Sequence, residues 1–132
     1  MALSSDLQTE AKRIEDIVAA VWNRSHCFAL VPIGESVAVT PGTPLDQSGG
    51  TGGASLVTNG NEANVDAIAL ETVTSAGVGD NPNCLCIVRG PANVNADQLV
   101  LQASVTAAEL KPYLLALGIL LVNEPAEQEQ LA

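Results

Sequence analysis

The chain has 132 residues, of which 47% are hydrophobic and 2% aromatic, and its formal net charge is −10 at pH 7. This length suits one folded domain with terminal arms, and an aliphatic core buries less area per side chain than an aromatic one, so support from oligomer contacts is expected. The charge argues against nucleic acid as a direct partner, because nonspecific affinity for DNA or RNA comes mostly from basic side chains.

An amphipathic helix is predicted from about Asp6 to Arg24, because apolar residues repeat there at the spacing of one helix face. These residues are Leu7, Ala11, Ile14, Val18 and Val21, with Trp22 at the edge of the stripe. Such a stripe needs a cover, which is either the rest of its own domain or another protein. The candidate binding residues are therefore Leu7, Ile14, Val18, Val21 and Trp22.

The central part of the chain alternates short apolar runs with turn residues, which is typical of β structure. The predicted strands are Glu35 to Thr40, Val65 to Thr74, Cys84 to Arg89, Leu99 to Val105 and Ile119 to Val122. The second and third are apolar on both faces and are expected to be central and buried. Pro41 to Gly53 is expected to be a loop, with its Gly-rich part at the surface, and Asn93 to Asp97 a turn.

A short helix is predicted to begin at the capping box formed by Thr106 and Glu109 and to end near Leu117, with Gly118 as its C-cap. Pro112 is expected to kink this helix or to move its start towards Leu110.

The predicted fold is a β-rich α+β class: a small mixed β domain with one short C-terminal helix and an amphipathic N-terminal helix. The expected parts are an N-terminal helical arm at residues 1–34, a β-rich domain at 35–123 and an acidic, solvated tail at 124–132.

The cysteines indicate core packing rather than chemistry. Cys84 and Cys86 lie two apart on a predicted strand, and His26 with Cys27 could add ligands, but structural zinc sites usually present Cys-x-x-Cys or His pairs. A catalytic thiol is also disfavoured, because His26 has no acidic orienter nearby in the sequence. Three cysteines without a recognisable secretory signal favour synthesis in a reducing cytoplasm. No metal or other cofactor is expected.

The carboxylates do not form an obvious catalytic pair. Asp66 and Glu71 lie on opposite faces of an ideal strand, and Asp80 and Asp97 lie in turn segments. The longest apolar run, Tyr113 to Val122, is too short to span a bilayer. We therefore expect neither an enzyme nor a membrane segment. A small hydrolase using the carboxylates or a thiol is the weakest of the alternatives.

The order of segments resembles the lambda-like bacteriophage head decoration proteins. The resemblance covers roughly residues 37 to 122, and its motifs, each short and aliphatic, gain specificity from their order and spacing. They are Thr43-Pro44-Leu45, a Gly-rich loop, Val65 to Val73, Cys84 to Arg89 continuing through Gly90 to Leu99, and Leu117-Gly118-Ile119-Leu120.

This resemblance implies a capsid cement protein without catalytic activity. Proteins of that family bind the major capsid protein as homotrimers at local threefold positions on the exterior of the virion and brace the shell against packaged DNA. Their N-terminal arm is typically extended, whereas a helix is predicted here, so no individual contact residues are carried over. The alternative is another virion component of a phage, such as a tail or head-completion subunit.

Overall fold

The structure, a computed structural model, describes residues 13–123. The strands are β1 (Val18–Val21), β2 (Phe28–Pro32), β3 (Ala38–Val39), β4 (Pro44–Asp46), β5 (Ser55–Leu56), β6 (Ala67–Ala69), β7 (Val73–Thr74), β8 (Asn83–Ile87), β9 (Ala92–Asn95) and β10 (Ile119–Val122). The α-helices are α1 (Ile14–Ile17), α2 (Arg24–Cys27) and α3 (Ala107–Ala116), and 3-10 turns occupy Glu62–Asn64 and Ala96–Gln98. The expected small, strand-rich mixed fold is confirmed.

The largest sheet has five antiparallel strands in the order β2-β8-β6-β4-β5. Its two ends meet just beyond the outer strands, where Ile33 pairs with Ala54. Gly53 permits this approach, because a Cβ there would collide with the Pro32 carbonyl oxygen. The sheet therefore curls almost into a closed barrel.

The inner face of the curled sheet forms one of two hydrophobic cores, here named the barrel core. Small residues dominate it, since opposing strands lie close together in a curled sheet of this size. Its buried residues are Val31, Ile33, Val39, Leu45, Ala54, Ala67, Ala69, Cys84, Cys86 and Val88. The β3–β7 pair adds Val39 and the half-buried Val73.

The outer face of the same sheet packs against α3 and a three-stranded sheet and forms the second core, here named the layer core. In the three-stranded sheet β9 lies between β1, which is antiparallel to it, and β10, which is parallel. The largest fully buried side chains of the layer core are Ile17, Ile68, Ile87, Leu110, Leu114, Ile119 and Leu121.

The N-terminal helix predicted to reach Arg24 is corrected over its second half. Between residues 13 and 23 the helix covers Ile14–Ile17, and β1 follows directly. A bulge near Ala20 inserts one residue into β1, so Val18 and Val21 face the same side although they are three apart. A spacing of three between apolar residues is also the spacing of one helix face, so the sequence pattern predicted a helix here. The first half, up to Lys12, lies outside the described residues, as does the tail at 124–132.

Two strands of the arm expected at residues 1–34 belong to the sheets. β1 pairs with β9 and β2 with β8, so both strands precede the expected boundary at residue 35 and pair with strands that follow it.

Other strand predictions are partly right. β8 and β10 are confirmed, and β6 is central and fully buried as expected. The run Val65 to Thr74 divides into β6 and β7, and Pro44–Asp46, expected in a loop, is β4.

The strand predicted over Leu99 to Val105 is wrong, because the ladder is formed upstream by β9. Val94 faces the layer core and pairs with Val18 and Leu121, while Asn93 and Asn95 face outwards. Asparagine has low β propensity, so the Asn-rich stretch resembles a turn in the sequence.

The C-terminal helix agrees with its prediction. The Glu109 N–H donates to Thr106 Oγ1 at 3.2 Å, and the Thr106 N–H donates to Glu109 Oε1 at 2.9 Å, which completes the capping box. α3 begins at Ala107 and continues through the exposed Pro112, so its start is not moved to Leu110. Gly118, with φ +89°, follows the C-cap residue Leu117 and allows the chain to turn into β10.

Candidate functional site

The candidate binding residues of the N-terminal stripe separate into two groups. Ile14 and Val21 are half-buried, and Val18 is buried, and all three pack in the layer core of their own chain. Trp22, by contrast, is 66% exposed at the end of β1. Leu7 lies outside the described residues. Trp22 is therefore the described candidate that remains available to a partner.

The three cysteines are free thiols on opposite sides of the five-stranded sheet. Cys27 lies in the layer core, whereas Cys84 and Cys86 lie in the barrel core. His26 is exposed and does not join them. A hydrogen bond with Cys84, together with burial, raises the pKa of the Cys86 thiol, so this group stays protonated. These positions fit the expected packing role.

The carboxylates singled out in the sequence hold backbone groups in place. Asp66 Oδ1 accepts the Gln47 N–H at 2.8 Å, and Glu71 Oε2 accepts the Leu85 N–H at 2.6 Å. Asp80 accepts the Ala76 N–H within its own turn. Asp97 is exposed in a 3-10 turn. Asp66, Glu71 and Asp80 therefore serve a local structural purpose, and the four carboxylates do not converge on one site.

One carboxylate pair was missed in the sequence. β4 and β6 pair so that Leu45 lies opposite Ala67, which brings Asp46 beside Asp66 at the end of the sheet. Burial, and to a smaller extent the charge of Asp46, raises the pKa of Asp66, while the Gln47 N–H opposes this shift. Asp46 Oδ1 accepts both the N–H and the hydroxyl of Ser48, at 3.1 Å each. Both carboxylates thus anchor the Gly-rich turn after β4.

Metal and membrane sites are not found in the part of the chain that the structure describes. Within residues 13–123, no group of three or more His, Cys, Asp or Glu side chains is arranged to hold a metal ion. Over the same range, no helix has the length and apolar character needed to cross a bilayer.

Large apolar side chains are exposed on several separate elements. They are Trp22 after β1, Leu30 on β2, Val78 in the loop before β8, Tyr113 and Leu115 on α3, and Leu120 on β10. α3 is apolar on nearly all sides, with Glu109 and Lys111 as its charged residues. A helix of this kind is normally covered by other protein. Apart from Trp22, these positions were not identified from the sequence, since their exposure depends on how the strands and α3 pack.

Two arginine side chains lie near the N-terminal end of β2. The Arg24 guanidinium lies 5.6 Å from the centre of the Phe28 ring, and Arg89 Nη1 donates to the His26 carbonyl oxygen at 2.6 Å. Trp22 lies two residues before Arg24. This basic cluster, defined as Arg24, His26 and Arg89, therefore adjoins exposed aromatic surface in a strongly acidic protein.

No family model matches the chain, and no curated protein matches it. The function is therefore inferred from the chain's own surfaces, its exposed apolar side chains and its basic cluster.

Proposed function

We propose that the chain is a virion structural protein that binds the outer surface of a phage capsid as a homotrimer at local threefold positions. It stabilises the shell against the pressure of packaged DNA. Its partners are the major capsid protein and neighbouring copies of itself. The role requires no catalysis, cofactor, nucleic acid or membrane, and the protein is made in the host cytoplasm before it joins the head.

The observation that carries this proposal is the distribution of exposed apolar side chains. Trp22 and Leu30 are 66% and 63% exposed, and Leu115 on α3 is 54% exposed. Three carboxylates that were considered as catalytic candidates, Asp66, Glu71 and Asp80, instead accept hydrogen bonds from backbone N–H groups. Surfaces of this kind are typical of a protein that binds other subunits, whereas an enzyme gathers titratable groups in a cleft.

The positions of the motifs that resemble decoration proteins give further support. Thr43-Pro44-Leu45 overlaps β4, Val65 to Val73 contains β6, and Cys84 to Arg89 contains all of β8 except its first residue, Asn83. These strands are neighbours in one sheet, in the order β8-β6-β4. Three of the motifs that are distant in the sequence therefore lie side by side in one sheet.

A trimer also makes the proposed binding energetically reasonable. Three linked copies that engage three equivalent capsid sites gain avidity, so each chain needs only a modest contact area. The amphipathic helix predicted upstream of α1, with Leu7, is proposed to take part in contacts with the capsid or an adjacent protomer together with Trp22.

Sedimentation with undecorated, expanded heads of the phage that encodes the chain tests this proposal. We expect saturable co-sedimentation and heads that resist heat or chelator better than undecorated ones. Failure to bind would contradict the proposal. Binding confined to a tail or to the head vertex would instead favour the alternative of a tail or head-completion subunit.

A further inference from the structure

β2 leaves part of its backbone unpaired at the edge of the five-stranded sheet. The Cys27 carbonyl oxygen accepts the Val88 N–H and the Ile33 N–H donates to the Pro82 carbonyl oxygen, both at 2.8 Å. The backbone N–H and C=O groups of odd-numbered residues of β2 therefore bond to β8, and those of even-numbered residues point away from β8. Both the N–H and the C=O of Leu30 lie on this outer edge, where no residue in the range 13–123 pairs with them.

Neither end of this edge remains open. The Pro32 carbonyl oxygen accepts the Ala54 N–H at 2.8 Å, and the Phe28 N–H donates to the Arg24 carbonyl oxygen. The open part is therefore centred on Leu30, whose side chain is 63% exposed. β2 contains no charged residue and no bulge, which are features that commonly protect an edge strand from pairing with another chain.

The charge around this edge differs from that of the rest of the protein. No Asp or Glu occurs between Asp16 and Glu35, or between Asp80 and Asp97. The first interval contains β1 and β2, and the second contains β8 and β9, which pair with them. The basic cluster Arg24, His26 and Arg89 lies at the N-terminal end of β2. The carboxylate of Glu71 accepts the Leu85 N–H of β8, but it does so on the side of β8 that faces β6 and not on the side that faces β2.

We propose that the outer edge of β2 binds an extended, acidic segment of the major capsid protein, which adds a strand beside Leu30 and places its carboxylates against the basic cluster. The occupant is deduced from charge complementarity, since the open backbone groups of β2 lie beside a basic cluster and between sequence intervals that contain no Asp or Glu. The inference rests on the proposed function, because it names the capsid surface that the chain recognises.

A pair of substitutions at Leu30 separates backbone pairing from side-chain contact. Leu30→Pro removes the outward N–H without removing a bond to β8, as proline is tolerated on edge strands in that orientation. Leu30→Ala keeps the N–H and shortens the side chain. We expect Leu30→Pro to weaken binding to undecorated heads by about tenfold or more, and Leu30→Ala by about threefold. Thermal unfolding of each variant checks that it remains folded.

A second pair of substitutions tests the charge. Arg24→Glu reverses the sign at the basic cluster, and Asn59→Glu introduces the same acidic side chain at an exposed position in the turn after β5, away from the surfaces proposed to bind. We expect Arg24→Glu to weaken head binding by about tenfold and to reduce its dependence on salt, while Asn59→Glu stays within about twofold of the unmodified protein.

The outcomes distinguish this inference from the proposed function. If the unmodified protein does not bind heads, the proposed function itself fails. If it binds and the Leu30→Pro and Arg24→Glu variants bind equally well, the capsid is recognised elsewhere and this inference is overturned. If these variants bind poorly and native mass spectrometry shows that they no longer form trimers, a second copy of the chain covers the edge of β2. That result also overturns the inference that a capsid segment is its occupant.

Discussion

The two cores lie on opposite faces of one sheet and are built in different ways. In the layer core, large aliphatic side chains such as Leu110 and Leu114 fill the space between the sheet and α3. In the barrel core, alanine and cysteine let the strands curl around a narrow interior. Removing atoms should therefore damage the first core most, and adding atoms should damage the second.

The largest expected effect comes from truncation on β8, where neighbouring residues face different cores. Ile87→Ala leaves a cavity in the layer core, and we expect it to lower the free energy of unfolding by about 2–5 kcal/mol. Cys86→Ala removes a single sulfur atom from the barrel core, and we expect a loss of about 1 kcal/mol. Chemical denaturation of both variants measures the difference. Equal losses would contradict the distinction between the cores.

An intermediate effect is expected from enlargement at the same two positions. Cys86→Leu places extra atoms between closely spaced strands, and we expect it to cost about 1–3 kcal/mol of unfolding free energy. Ile87→Leu conserves volume in the layer core, and its expected cost is below about 1.5 kcal/mol. The same denaturation measurement applies. A Cys86→Leu protein as stable as the unmodified chain would show that the barrel core has spare room.

The smallest effect is expected at the rim of the barrel core, where Asp66 lies beside Asp46. Burial raises the pKa of Asp66, so the ionised carboxylate destabilises the folded state at neutral pH. Asp66→Asn keeps an acceptor for the Gln47 N–H, and we expect a small rise in Tm at pH 7. This gain should shrink as the pH falls through the folded pKa, because the native aspartate then becomes neutral as well.

Melting curves over a pH series measure this effect, with the exposed Asp97→Asn as a control for net charge. A gain that stays constant at low pH, or that Asp97→Asn reproduces, would show that the burial of Asp66 is not its cause.

Segments whose residues follow the regular pattern of a strand or a helix start were predictable from the sequence. Segments whose pattern is altered by a bulge or by polar outward positions were not. β8 is apolar from Cys84 to Ile87, and the capping box of Thr106 and Glu109 marks the start of α3. β1 was hidden because its bulge gives apolar residues a helical spacing, and β9 was hidden because its outward positions carry asparagine.

The candidate site was less predictable than the fold. The exposure of Leu30 follows from the position of β2 at a sheet edge, which depends on long-range pairing with β8. The basic cluster likewise depends on this pairing, because Arg89 lies just after β8 and bonds to the His26 carbonyl oxygen of α2, the helix that begins at Arg24. The sequence shows the absence of acids in these two intervals, but it does not show that they lie together.

The number of chains bound per capsid subunit at saturation tests the central claim most directly. A trimer at every local threefold position requires about one chain per capsid subunit, because three subunits surround each such position. We expect quantitative gel analysis of purified, saturated heads to give this ratio. A few copies per head, or none, would contradict a decorating role.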